Sequence, residues 1–196
     1  MNKKFILLNT PTFILCLGLI GCANIPSHII VSPNIELMPN LVHKNKKIKL
    51  NIADNRTAEH IVQIVKDGNE TIFLAANEKL ETTISNTLSK HWEKQKLTLD
   101  KNAINKITIS IEKAILNINQ TTFKYTEQSE IILNVTVNHK LQSLSIAFKN
   151  RGNSEGPLKA DIAVLERNFN QRLSNLLTQI LTSSKIHDFL NSPNRR

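Results

Sequence analysis

Apolar and polar residues alternate over several stretches of this chain, which is the pattern of strands with one buried face. The first alternating stretch covers residues 48–52. Two apolar runs, 61–65 and 71–74, then flank Lys66-Asp67-Gly68-Asn69. Because Asp-Gly between apolar runs favours a tight turn, these residues predict a β-hairpin.

The middle of the chain predicts a second group of strands. Their alternating stretches lie at residues 107–111, 114–118, 131–137 and 144–148. The first two are in opposite phase, so a β-bulge is expected near Glu112-Lys113. Residues 138–140 are expected to join the last two strands, and the polar segment 150–156 is expected to be a loop.

Three segments instead show helical spacing. Asn77 is the expected cap of a first helix, whose apolar face carries Leu80, Ile84, Leu88 and Trp92. A long helix is expected from about Asp161 to Leu181, burying Leu165, Phe169, Leu173, Leu176, Leu177 and Ile180. Residues 186–190 predict a short helical tail. Trp92 is interpreted as a core residue rather than a binding anchor because it lies on the apolar face.

These elements predict an α+β domain over residues 46–192, with a mainly antiparallel sheet and two helices packed on one face. The preceding segment, 22–45, contains Pro26, Pro33 and Pro39 and is otherwise largely polar. We interpret this segment as an extended tether between the domain and the point at which the beginning of the chain is attached.

The first residues have the composition of a secretory signal. Lys3 and Lys4 precede a largely apolar stretch, residues 5–20, and Leu19-Ile20-Gly21-Cys22 resembles the bacterial lipobox. Residues 1–21 are therefore expected to be a lipoprotein signal peptide and Cys22 the lipidated residue, which would attach the chain to a membrane. The alternative is an ordinary signal peptide followed by a chance cysteine.

The chain carries a formal net charge of +9, and removing Lys3 and Lys4 with the signal leaves +7. An exported lipoprotein does not normally meet nucleic acid, so anionic lipid head groups or an acidic partner are the alternatives that remain. The densest basic run, residues 43–49, is interpreted as a solvated linker end and strand edge, where lysine discourages edge-to-edge pairing.

Sequence signatures of catalysis are absent. After the signal only Gly68, Gly152 and Gly156 remain, so no glycine-rich phosphate loop can form, and no free cysteine is left as a nucleophile. The histidines are never paired at metal-ligand spacing. We therefore predict no catalytic residue, no metal site and no cofactor.

Asp54 and Arg56 are the one candidate for recognition. They lie in Asp54-Asn55-Arg56-Thr57, directly after the first strand. Arg56 could reach an anionic ligand through its planar guanidinium, with Asp54 holding it in place. The alternative, which we favour, is a structural turn in which polar side chains satisfy backbone amides.

Short motifs along the mature chain resemble the YajG-like lipoproteins of gamma-proteobacteria. They are Ser32-Pro33-Asn34-Ile35, Asp54-Asn55-Arg56-Thr57, the hairpin, and Ile186-His187-Asp188-Phe189 near the end. The family's turn usually has glutamine where this chain has Asn55. The resemblance implies an outer-membrane lipoprotein with a small α+β periplasmic domain and no assigned activity. Ala23, rather than aspartate, after the lipidated cysteine supports the outer membrane.

Two hypotheses on function follow. In the favoured one, the protein is a non-enzymatic accessory or binding module that faces the periplasm and contacts another envelope protein, for instance through an exposed sheet edge. In the other, it is an enzyme or ligand-binding protein that acts on cell-wall fragments through Arg56 and neighbouring carboxylates. A deep pocket at Asp54 and Arg56 would favour the second hypothesis, and a shallow surface with an uncovered edge strand the first.

Overall fold

A computed structural model describes residues 26–36, 43, 46–67 and 70–192. The expected signal peptide 1–21, Cys22 and the Gly68-Asn69 part of the hairpin turn lie outside these residues. The strands are β1 His28–Ile29, β2 Lys47–Asp54, β3 His60–Lys66, β4 Ile72–Ala76, β5 Thr98–Leu99, β6 Lys106–Gln120, β7 Lys124–His139 and β8 Gln142–Pro157. The helices are α1 Leu80–Lys94, α2 Ile162–Leu181 and α3 Ser184–Asn191.

A long antiparallel meander of β6, β7 and β8 forms one side of the sheet. The two stretches expected at 107–111 and 114–118 are parts of the single strand β6. Its pairing with β7 shifts register between Ile111 and Lys113, which confirms the predicted bulge. The extra residue restores the inward phase, so apolar side chains on both sides of the bulge face the core.

The other edge of β6 pairs with two strands in succession. β2 lies parallel to residues 106–111 of β6, and β3 lies parallel to residues 116–120. Beyond them, β5 is parallel to β2, β4 is antiparallel to β3, and β1 is parallel to β4. The expected hairpin of β3 and β4 is confirmed, but the prediction of a mainly antiparallel sheet is wrong, because the sheet is mixed.

The mixed sheet has a local cause in the short segment 55–59. This segment joins β2 to β3 without reversing the chain, so both strands run along β6 in the same direction. A hairpin turn in its place would have made the two strands antiparallel neighbours. Alternation of apolar residues does not distinguish these cases, since it reports burial of one face and not the direction of the partner strand.

The helices pack against the sheet, and α1 also contacts α2. The predicted cap of α1 is wrong: Lys79, not Asn77, is its N-cap. The side-chain oxygen of Asn77 instead accepts from Val31 N at 3.3 Å, and its backbone N–H donates to the carbonyl of Ile29 at 3.0 Å. Asn77 therefore continues the pairing of β4 with β1. None of the described helices is long and apolar enough to cross a membrane.

One apolar core lies between the helices and the inner face of the sheet. The side chain of Trp92 is 1% exposed, which confirms it as a core residue. Each apolar residue predicted on the long helix is also buried: Leu165, Phe169, Leu173, Leu176, Leu177 and Ile180. The short helical tail is present as α3, and its apolar residues Ile186 and Leu190 join the same core.

The expected loop at residues 150–156 is wrong, because β8 continues to Pro157. The inward positions of this half are small, and each leaves room for a neighbour. Arg172 lies over Gly152, and a Cβ on Gly156 would come within 2.6 Å of the Tyr125 ring. Residues 150–156 resemble a loop in sequence because their inward positions are small, and side chains from neighbouring elements fill the space above them.

Residues 26–36 pack on the domain, so this part of the predicted tether 22–45 does not separate it from the chain's beginning. The backbone is extended, but Ile29 and Val31 are buried in the core. Ile30 N also donates to the Glu166 carboxylate of α2 at 2.8 Å. This segment packs on the domain, and is not a free tether, because the apolar residues between its prolines are buried in the core.

Replacing Leu176 by aspartate tests the core of α2. The side chain is fully buried, so an unpaired carboxylate there should lower the free energy of unfolding by about 3–5 kcal/mol. Thermal unfolding of the chain from residue 23 onward measures the effect. Asn175→Asp, at an exposed neighbouring position, is the matched control and should melt like the wild type. Equal melting temperatures for the two variants would show that this helix face is not core.

Candidate functional site

Arg56 clamps the segment that joins β2 to β3. Its Nε donates to both carboxylate oxygens of Asp54 at 2.9 and 3.1 Å, and Nη2 donates to Asp54 Oδ2 at 2.7 Å. Its Nη1 donates to the carbonyls of Glu59 and His60 at 3.3 and 3.4 Å. The backbone N–H of Arg56 also donates to Asp54 at 3.1 Å. One guanidinium thus ties the end of β2 to the start of β3.

The segment is also fixed to the bulge in β6. Asn55 N donates to the carbonyl of Ile111 at 3.0 Å, and the Asn55 side chain donates to Glu112 at 3.3 Å. Ile111 is the last residue before the register shift. The interruption between β2 and β3 and the interruption within β6 therefore lie side by side and bond to each other.

Burial and charge around this pair affect two ionisable groups. Partial burial alone would raise the pKa of Asp54, but the hydrogen bonds and charge of Arg56 outweigh it, so the pKa is lowered. The pKa of His60 is lowered by partial burial and by the nearby Arg56 charge. Its ring packs on Phe73, with centroids 4.6 Å apart. At neutral pH the site holds an ion pair beside a neutral imidazole.

A polar cleft of about 310 Å³ opens beside the Asp54–Arg56 pair, at the beginning of α1. It is lined by Asp54, Arg56, Glu59, Ala75, Ala76, Asn77, Glu78, Lys79, Leu80 and Glu81. The side chain of Arg56 is only 8% exposed, and that of Asp54 17%. Both form part of the cleft wall while most of their hydrogen-bonding capacity is used within the protein.

The structure thus brings together the two residues predicted for recognition. Cys22, the predicted lipidation site, lies outside the described residues. Among the part of the chain that the structure describes, no group of three or more histidine, cysteine or acidic side chains is placed to hold a metal ion. In chemical terms the cleft offers carboxylates and one lysine, with no nucleophile activated by a neighbouring base.

A buried polar cluster that was not predicted from the sequence lies beneath α2. Glu127 is fully buried, and its Oε2 accepts from Ser154 Oγ at 2.9 Å and Asn168 Nδ2 at 2.8 Å. Its Oε1 lies 3.5 Å from Nη2 of Arg172. A signal was present, since Glu127 occupies an inward position in the alternation of β7. We interpret the cluster as structural, because its charges compensate each other between strand and helix.

The clamp formed by Arg56 leads to a stability prediction. Arg56→Ala should lower the free energy of unfolding by about 1–3 kcal/mol, because the Asp54 carboxylate and two carbonyls lose their donors. Lys79→Ala is the matched control, since Lys79 lines the same cleft with an exposed side chain. Chemical denaturation of both variants measures the difference. If Arg56→Ala were as stable as Lys79→Ala, Arg56 would not be a structural clamp.

The fold is similar to that of a solved protein from Xanthomonas campestris assigned to the DUF330 family, with a TM-score of 0.62 and 11% identity. The similarity covers 85% of this chain and 98% of that one. At this identity it shows a shared fold and nothing about activity.

Two further solved structures are more distant. One, an uncharacterized protein, gives a TM-score of 0.35 at 13% identity, over 79% of this chain and 99% of its own. The other, a hypothetical protein of Chlamydia trachomatis, gives 0.37 at 9% identity, over 74% of this chain and 97% of its own. Scores this low carry no argument about the fold. No curated protein matches the chain.

A family model described as "Uncharacterized lipoprotein" matches residues 33–191, which is most of the chain. The match includes the turn at Asp54 and Arg56 and the motif in α3, and it confirms the resemblance drawn from those motifs. A lipoprotein of the cell envelope with an unassigned role is consistent with this assignment. The chain belongs to the family of uncharacterized, YajG-like lipoproteins.

Proposed function

We propose that this protein is an outer-membrane lipoprotein, lipidated on Cys22 and facing the periplasm, that acts as a non-enzymatic accessory module for another envelope protein. The family assignment supports a membrane anchor. Leu19-Ile20-Gly21-Cys22 supports the position of the anchor, and Ala23 supports the outer membrane. Two or more acyl chains on one cysteine provide stable membrane attachment.

The observation that carries the binding role is the free edge of β8. This strand is 16 residues long, and among the described residues it pairs only with β7. Its remaining backbone donors and acceptors are available to an added strand. Lys149 lies on its exposed face, where Arg151 is already paired with Glu130, and the lysine discourages pairing between copies and suits an acidic partner. We therefore propose that an extended segment of the partner pairs with β8.

A second candidate function rests on the cleft beside Asp54 and Arg56. A volume of about 310 Å³ is at the lower end for small-molecule sites, and its wall is polar. A wall fragment with free amino groups would suit Glu59, Glu78 and Glu81, which line the cleft. This alternative would make the protein a ligand-binding protein or enzyme of cell-wall fragments, with Asp54 and Arg56 as its recognition residues. Calorimetric titration with soluble muropeptides tests it.

Lipidation is tested by Cys22→Ala. The variant should incorporate no radiolabelled palmitate and should be absent from the outer-membrane fraction, because the lipobox no longer has a thiol to receive diacylglycerol. Wild-type protein, labelled in the same cells, is the control. Normal outer-membrane fractionation of the variant, or a wild type that takes up no label, would contradict the proposal.

Site-specific photocrosslinking in intact cells tests the role of β8. A photoreactive residue at Ala147, on the edge strand, should give one discrete adduct with another envelope protein. The crosslinked site should map to an extended segment of that partner. The same photoreactive residue placed at Asn117 is the matched control, since Asn117 is also exposed but lies in β6, which has strands on both sides. Adducts from both positions, or from neither, would contradict binding at the edge.

A further inference from the structure

Two residues with large, exposed apolar side chains lie next to each other along the backbone at one end of the sheet. Phe123, in the turn between β6 and β7, is 81% exposed, and Leu158, directly after β8, is 64% exposed. The backbone N–H of Leu158 donates to the carbonyl of Phe123 at 2.8 Å, which holds them together. Scattered exposed apolar residues are ordinary, but adjacent ones indicate a contact surface. We call Phe123 and Leu158 the apolar pair.

The backbone of Leu158 makes its exposure more informative. Its φ is 58°, in the left-handed region where a branched side chain is strained and glycine is not. The side chain remains largely in solvent, so core packing offsets little of this strain. A leucine at this position is therefore better explained by a contact that it makes outside the domain.

The described chain enters the domain at the same end. β1 runs parallel to β4 with His28 opposite Ala75, so the residues before β1 lead back toward Ile72 at the start of β4. Ile72 pairs with Ile64, and Ile64 pairs with Ile118. Ile118 is close to the end of β6, and the turn that follows β6 carries Phe123. The residues before β1 therefore point toward the end of the sheet that carries the apolar pair.

Contacts with α2 give the same direction independently. Ile30 N donates to Glu166 and Ser32 N donates to Asn170, each at 2.8 Å. The segment that contains β1 and residues 30–32 therefore runs alongside α2 in the same direction as the helix. Followed back toward its first described residue, it leads to the beginning of α2, which comes shortly after the apolar pair.

Only three residues separate Cys22 from Pro26. Fully extended, this connection spans about 14 Å, which is less than half the thickness of a bilayer's hydrocarbon core. We propose that the apolar pair inserts into the head-group region of the membrane that holds the acyl anchor, so that the domain rests on the bilayer by this end. The inference depends on the proposed lipidation of Cys22.

Anchoring makes such a small contact effective. Two side chains bury little area, and alone they would bind a bilayer weakly. With the anchor in place the contact forms within one molecule, where the effective lipid concentration is high. Charged groups of both signs flank the apolar pair, among them Lys124, Glu155 and Lys159. We therefore expect an apolar contact that high salt does not disrupt.

The test uses the full lipidated protein reconstituted into vesicles of phosphatidylcholine with a minority of phosphatidylglycerol. Acylation occupies the thiol of Cys22 and Cys16 leaves with the signal, so an introduced cysteine is the only free thiol. Phe123→Cys is labelled with an environment-sensitive fluorophore. Leu141→Cys is the matched control, since it is fully exposed in the turn between β7 and β8, at the opposite end of the sheet. Some vesicles contain lipids with a nitroxide quencher at the head group.

We expect the label at position 123 to be quenched about twofold and the label at 141 to be unaffected, at low and at high salt. Protein that floats with the vesicles but shows equal quenching at both positions would overturn the membrane contact and leave the anchor standing. A blue shift at 123 without quenching would indicate a second copy instead of lipid, and would also overturn it. Protein that does not float would overturn the proposed lipidation, and the membrane contact with it.

Discussion

The end-to-end placement of β2 and β3 along β6 is the constraint on which the rest of the structure depends. Two parallel strands can follow each other on one edge only if the chain leaves the sheet and returns without turning back. The segment 55–59 does this, and Arg56 holds it closed by bonding to Asp54 before it and to the carbonyls of Glu59 and His60 after it. The bulge in β6 lies opposite and accepts the Asn55 amide.

Several features follow from this arrangement. β2 continues outward to β5, whereas β3 continues to β4 and β1, so the sheet divides beyond β6. The cleft lies where the Arg56 segment meets the beginning of α1. On the opposite side of β6 the long antiparallel meander ends in β8, whose outer edge pairs with no other strand that the structure describes. Residues 30–32, directly after β1, run alongside α2, so the described chain enters the domain at the end of the sheet that carries Phe123 and Leu158.

The sequence predicted the parts of the fold that depend on local periodicity. The core face of α2, the buried Trp92 and the bulge beside Glu112 are all confirmed, because apolar spacing reports burial directly. Strand direction and the second half of β8 were not predictable in this way. Gly152 and Gly156 resemble loop residues until Arg172 and Tyr125 are seen above them. Of the site, the pairing of Asp54 with Arg56 was predicted, whereas its contacts with Glu59 and His60 require the fold.

Hydrogen–deuterium exchange of Arg56→Ala, compared with the wild type, tests most directly whether this residue holds the two strands in line. If it does, amides of the last residues of β2, of segment 55–59 and of the first residues of β3 should exchange faster, while β7 and the paired side of β8 keep their protection. Unchanged exchange from Asp54 to His60 would contradict the account. Faster exchange spread evenly over the whole domain would contradict it too, since the loss would then be global and not at the junction.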